Sequence, residues 1–180
     1  MTNPIARTTE AVFIALVVCG TTSALGQTNP SKASAVGTWK LDAAQSDLGS
    51  EPAPKSLTLT ILKDTDEMSS WRVSGVDDDG KSFAFSWSGP KDGTMQPMKG
   101  PDGRERGKES LKVDQGALLR HGEDPTDGSS FDGRSVMAAD GNTITDVVTM
   151  KMKDGKTTKA TYVYRRATPA AKGSTPEKKI

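Results

Sequence analysis

Four aromatic residues at strand spacing, Trp71, Phe83, Phe85 and Trp87, are the side chains of this sequence best suited to a binding task. Phe83, Phe85 and Trp87 alternate with Ser82, Ala84 and Ser86, so in an extended segment they share one face. Such a face suits the wall of an apolar-ligand cavity, and it equally suits a filled core. The polar candidates are less specific. His121 is the only histidine, and no Gly-x-Ser-x-Gly elbow accompanies it, so a polar surface or loop role is expected rather than general-base catalysis. With one histidine and Cys19 as the single cysteine, the chain offers no compact nitrogen and sulfur ligand set for zinc. Asp77-Asp78-Asp79 runs directly into Gly80, the pattern of a tight turn rather than of a long calcium loop. Lys99, Arg104, Arg106 and Lys108 form a positive run suited to an anion or an acidic partner. Glu105 and Glu109 dilute that charge and no aromatic residue is interleaved, which predicts a solvated loop. The expected site therefore has no catalytic residue, no metal and no cofactor, and its ligand-binding residues are Trp71, Phe83, Phe85 and Trp87.

The elements that must position these residues are strands. Asp-Gly occurs seven times, at 79-80, 92-93, 102-103, 127-128, 132-133, 140-141 and 154-155, and each occurrence reads as a hairpin turn. Between the turns the apolar residues alternate. Leu57, Leu59 and Ile61 share a face, as do Trp71 and Val73, and later Ile144, Val148, Met150 and Met152, where Asp146 interrupts the series. Ala160, Tyr162 and Tyr164 follow on the other side of Asp154-Gly155. Leu111 with Val113, Leu118-Leu119 and Val136 mark shorter candidates, and 90–107 is expected to be loops around a weak edge strand near Thr94 to Met98. About eight strands fit between Val36 and Arg165, enough to close a small barrel without exposed edges. The predicted fold class is all-β, an approximately eight-stranded antiparallel lipocalin-like barrel, with a twisted sandwich as the alternative for the same strand count.

The front of the chain reads as an export leader. Arg7 precedes the apolar run Ala11 to Val18, and Ala24-Leu25-Gly26 offers small residues for a signal peptidase. The competing lipoprotein reading at Cys19 places bulky Val18 where a small residue is required. The organisation expected is a signal peptide at 1–26, a flexible lead-in at 27–35, a barrel domain at 36–167 and a basic flexible tail at 168–180. Cleavage after Gly26 removes the cysteine, so export here carries no disulfide framework. Nothing after the leader approaches the roughly 20 apolar residues of a membrane-spanning helix. The formal net charge of +1 gives no global electrostatic case for nucleic acid. A periplasmic or secreted location follows as an expectation, and the oligomeric state is left open.

Gly37-Thr38-Trp39 resembles the Gly-x-Trp opening of lipocalin-like barrels. The longer stretches Gly37-Thr38-Trp39-Lys40-Leu41 and Pro54-Lys55-Ser56-Leu57-Thr58-Leu59-Thr60 are similar to those of secreted bacterial lipocalin-like proteins, a group largely of unknown function. The resemblance, including the late tyrosine-rich strands, spans about 37–166. It implies a structural role for Trp39, packed at the closed end of a barrel under a basic residue of the last strand, either Arg165 or Arg166. The leading functional expectation is noncatalytic binding or transport of a small hydrophobic molecule in the cell envelope. A periplasmic protein-interaction or envelope-stress module is the first alternative, and a hydrolase with an unrecognised carboxylate site the second. The partners implied are a small hydrophobic ligand or an envelope protein.

Overall fold

The computed structural model describes residues 34–50 and 52–167. The expected leader, the lead-in up to residue 33 and the tail from 168 lie outside the described residues. Ten strands follow in order: β1 (Gly37–Leu41), β2 (Ser56–Asp64), β3 (Met68–Val76), β4 (Ser82–Pro90), β5 (Gln96–Lys99), β6 (Glu105–Asp114), β7 (Ala117–Asp124), β8 (Ser129–Met137), β9 (Thr143–Lys151) and β10 (Thr157–Arg166). Each pairs antiparallel with its neighbours in sequence, and β1 pairs with both β2 and β10, closing the barrel. That closure decides against the sandwich. The count is ten rather than about eight because two segments poor in large apolar residues, β5 and β8, are held as strands by their neighbours. Polar β8 is paired along its length with β7 and β9. The region 90–107 correspondingly contains β5 and the start of β6, and β5 is not an edge, since a closed barrel has none.

Local chemistry sets the turns. Six of the seven Asp-Gly pairs lie outside the strands with the glycine at positive φ: Gly80, Gly93, Gly103, Gly128, Gly141 and Gly155. Beside five of these glycines the aspartate carboxylate accepts a hydrogen bond from the backbone N–H two residues on, at 2.8–3.1 Å, an Asx-turn that replaces a backbone partner. At the turn between β3 and β4, Asp77 accepts from the Lys81 N–H at 2.7 Å instead. Hydrogen bonds to Thr94, Ser129 and Lys156 hold the carboxyls of Asp92, Asp127 and Asp154 below their ordinary value. The seventh pair, Asp132-Gly133, is no turn. It lies inside β8, opposite His121 and Arg120 of β7.

Register then fixes which residues face inward. Trp39 pairs with Leu59 on one side and Arg166 on the other, and Leu59 pairs in turn with Val73, and Val73 with Phe85. Between Ile61 and Lys63 the register shifts, making Leu62 an extra residue, and it is left more than half exposed. At one end of the barrel Trp39, 0% exposed, packs against Ile144 and Tyr164, with Leu41, Leu59 and Ile61 around them. Its indole N–H donates to the Ala35 carbonyl at 2.9 Å. The Arg166 guanidinium lies 4.1 Å above the ring centroid and donates to the carbonyls of Ser34, Val36 and Gly141. Of the two arginines expected there, Arg166 takes the position over Trp39. Arg165 faces outward and bonds Asp42, Gln45 and Thr143. The glycine of the opening motif is required at this point: a Cβ on Gly37 would stand 2.8 Å from Arg166 Nη1, and its φ of 143° disfavours other residues.

Two features bear on access to the interior. The link from β1 to β2, residues 42–55, is the longest connection in the barrel. It is stapled to β10 by the Asp47–Thr161 bridge and by the Val163 N–H donating to Ser46 Oγ at 2.9 Å. The weakest seam lies between β4 and β5, joined by the single pair Ser86↔Lys99. Pro97 lacks a donor and β5 has only four residues, so little ladder can form there. The Trp87 indole N–H spans the seam instead, donating to the Glu109 carbonyl of β6 at 2.9 Å.

Candidate functional site: an apolar cavity inside the barrel

The inward faces do not fill the barrel. They enclose a cavity of about 480 Å³, within the roughly 300–1,000 Å³ typical of small-molecule sites. Leu57, Leu59 and Ile61 of β2 and Trp71 and Val73 of β3 form one wall, and Phe83 and Phe85 of β4 adjoin it. Val148 and Met150 of β9 and Tyr162 and Tyr164 of β10 lie among the remaining lining residues, and Leu48, Pro52 and Pro54 from the β1–β2 link also line the space. Glycines at inward positions let rings fold down onto the strands. A Cβ on Gly75 would stand 2.8 Å from the Phe83 ring, and one on Gly122 would stand 2.1 Å from the Phe131 ring. The rings thus cover bare backbone, and space remains along the axis.

Of the four expected ligand-binding residues, Trp71, Phe83 and Phe85 line this cavity. Trp71 meets Phe85 edge to face at 5.9 Å, and Phe83 stacks on Phe85 at 6.3 Å. Trp87 shares their strand face but does not reach the cavity. It is 2% exposed, stacked on Trp71 at 6.3 Å and packed with Leu111 in a second core cluster. Its period-two position was correct, and its bulk and indole N–H are spent on the β4–β6 seam.

The cavity wall also holds an ion network that the aromatic pattern did not indicate. Arg120 of β7 donates through Nε to Glu109 Oε1 at 2.8 Å, and its Nη2 lies 3.4 Å from Glu109 Oε2. Its Nη1 donates to Asp146 Oδ2, whose other oxygen accepts from Ser135 Oγ at 2.6 Å. Glu109 is 0% exposed and Asp146 5%. The Arg120 guanidinium also lies 5.4 Å from the Phe131 ring centroid and 5.8 Å from that of Trp71. Desolvation works to lower the Arg120 pKa, but the Glu109 and Asp146 charges more than offset it, and the group stays protonated. Burial, followed by the nearby Asp146 charge, pushes the Tyr164 phenol above its ordinary value. Gly133 lies directly opposite Arg120, and a Cβ there would make only ordinary contact with the Arg120 side chain, at 3.4 Å. The sequence did carry a signal for the network: Glu109, Arg120 and Asp146 each break an apolar alternation, beside Leu111, beside Leu118 and between Ile144 and Val148.

Two carboxylates meeting in a cleft also suit hydrolytic chemistry, but here all four carboxylate oxygens face hydrogen-bond donors of Arg120 or Ser135. Each oxygen of the pair is thus held by a protein donor. His121 sits on the outer face of β7, its Nδ1 2.9 Å from Asp132 and its Nε2 3.5 Å from Glu123. The Asp132 hydrogen bond raises its pKa, and it has no part in the cavity. Arg104 and Arg106 of the basic run meet Asp102 at the turn between β5 and β6.

No protein-family model matches the chain, and no curated protein matches it. Among solved structures it is similar to the wild-type fluorescent protein UnaG, at 18% identity over 73% of this chain and 96% of that one, with a TM-score of 0.47. It is similar to fatty-acid-binding protein 1 of Echinococcus granulosus, at 16% identity over 74% and 97%, TM-score 0.49. The zebrafish ileal bile-acid-binding protein complexed with cholic acid is similar at 15% identity over 74% and 100%, TM-score 0.46. With identities below 20% and TM-scores below 0.5, these likenesses carry no conclusion about this chain.

Proposed function

We propose that this protein is a noncatalytic binder or carrier of a small hydrophobic molecule, acting in the periplasm or outside the cell after its leader is removed. The cavity carries this reading. An interior of about 480 Å³ walled by aliphatic and aromatic side chains is the expected home of an apolar ligand, whereas an interaction scaffold has no need of unfilled space. Trp71, Phe83 and Phe85 are the proposed contacts, with Leu57, Leu59 and Val73 beside them. Titration of the purified, delipidated protein with an apolar fluorescent probe is expected to show saturable binding, and Phe85→Trp, which enlarges a lining side chain, is expected to alter the affinity while circular dichroism shows the fold retained. No saturable binding across a chemically varied apolar panel overturns the proposal.

The location rests on Arg7, the apolar run at 11–18 and Ala24-Leu25-Gly26. N-terminal sequencing of the native product is expected to begin near Gln27. A product retaining Met1, or one lipid-modified at Cys19, sinks the export reading and leaves cavity binding untouched.

A further inference from the structure

Five charged side chains line the cavity: Asp64, Lys91, Glu109, Arg120 and Asp146. Two are cations and three are anions, so the lining carries one formal negative charge in excess. Both cations are already engaged. Lys91 bonds the Asp64 carboxylate and donates to the Thr65 carbonyl at 2.6 Å, and Arg120 is shared between Glu109 and Asp146. Arg166, the guanidinium nearest the closed end, is bound to three carbonyls and does not line the cavity. A ligand carboxylate or phosphate entering this space therefore meets no uncommitted cation among the described residues, and it meets one carboxylate in excess. Desolvating an anion beside that excess is strongly unfavourable.

The excess charge lies where one arginine serves two carboxylates. Ser135, Asp146 and Tyr162 stand abreast on β8, β9 and β10, and the ring of Tyr164 also lines the cavity, while those of Trp71 and Phe131 already face the Arg120 guanidinium. Aromatic faces attract cations, and they do so more strongly away from water. Building on the cavity-binding reading above, we propose that the ligand is a basic amphiphile, an apolar body carrying one ammonium or similar cation, rather than a fatty-acid-like anion. The cation neutralises the lining at the Glu109–Asp146 side, while the apolar body lies along Leu57, Leu59, Val73 and Phe85.

Dodecylammonium, dodecanol and dodecanoate separate charge from chain length. Titrated at pH 7 below their micelle concentrations into the delipidated full chain, the ammonium is expected to bind about tenfold or more tighter than the alcohol, and the carboxylate about tenfold or more weaker. The net charge of +1 gives the protein surface no preference for a cation, so this order reports the interior. Asp146→Asn leaves Arg120 paired one to one with Glu109 and is expected to cut the ammonium-to-carboxylate ratio by about tenfold. Equal affinities, or tightest binding of the carboxylate, overturn the charge preference and leave apolar binding standing. An unchanged ratio in a folded Asp146→Asn variant overturns its assignment to this network. Failure of all the probes to bind overturns both this inference and the reading beneath it.

Discussion

Arg120→Met is expected to destabilise the barrel by about 3–5 kcal/mol, measured by equilibrium unfolding in urea. The substituted side chain keeps much of the packing against Trp71 and Phe131 but leaves Glu109 and Asp146 buried without their shared cation. Against a typical total stability of about 5–15 kcal/mol, that loss threatens folding itself. The physical reason is asymmetric. A buried ion network gains little over a well-packed apolar cluster of the same shape, because desolvating its charges costs nearly what their attraction returns, but a network missing one member keeps the cost and loses the gain. The triple variant Glu109→Leu, Arg120→Met, Asp146→Leu is accordingly expected to recover most of the stability lost by Arg120→Met alone. A loss below about 1 kcal/mol for the single variant would show that water reaches the carboxylates and that the network is not buried in solution.

Trp39→Ala is the second large effect, about 3–5 kcal/mol for truncating a fully buried ring. The loss combines the cavity left among Ile144, Tyr164 and Leu59 with the stranding of Arg166, whose guanidinium now rests on the indole face. Arg166→Met separates the contributions. It removes the cation–π attraction, worth about 0.5–2 kcal/mol, together with hydrogen bonds that tie β10 to residues 34–36 and to the β8–β9 turn. Trp39→Ala is expected to exceed it. If unfolding shows less than about 0.5 kcal/mol lost for Trp39→Ala, the closed end does not form as described.

Much of the fold was legible because its determinants are local. A strand with one wet and one dry face must alternate, and the segments from Leu57 to Ile61, Phe83 to Trp87 and Ala160 to Tyr164 do so. Asp-Gly marked six real turns because the glycine accepts positive φ and, at five of them, the aspartate of the pair satisfies a backbone N–H. It misled at Asp132-Gly133, where the deciding influence is pairing with β7 and β9, which is not visible within a few residues of the pair. Strand β8 was underread for the same reason, as its own residues carry few apolar side chains and its neighbours supply the ladder.

The candidate site divides along the same line. Trp71, Phe83 and Phe85 were placed on inward faces by period-two spacing alone. Trp87 has identical spacing, and only the narrow β4–β6 seam turns its indole from cavity lining into packing. By itself the sequence determined an all-β chain, its principal turns and the inward aromatic faces, all consequences of backbone geometry and of side-chain alternation over short spans, while the Gly37–Trp39 opening was legible through its resemblance to lipocalin-like barrels. Tertiary structure alone decided that the sheet closes, that ten strands leave space along the axis, and that Arg166 rather than Arg165 covers Trp39. It also decided that Glu109, Arg120 and Asp146, brought from β6, β7 and β9, form one network. Closure and open volume depend on the summed register of every strand pair, and ion partners on side chains far apart in sequence, so no local pattern encodes them.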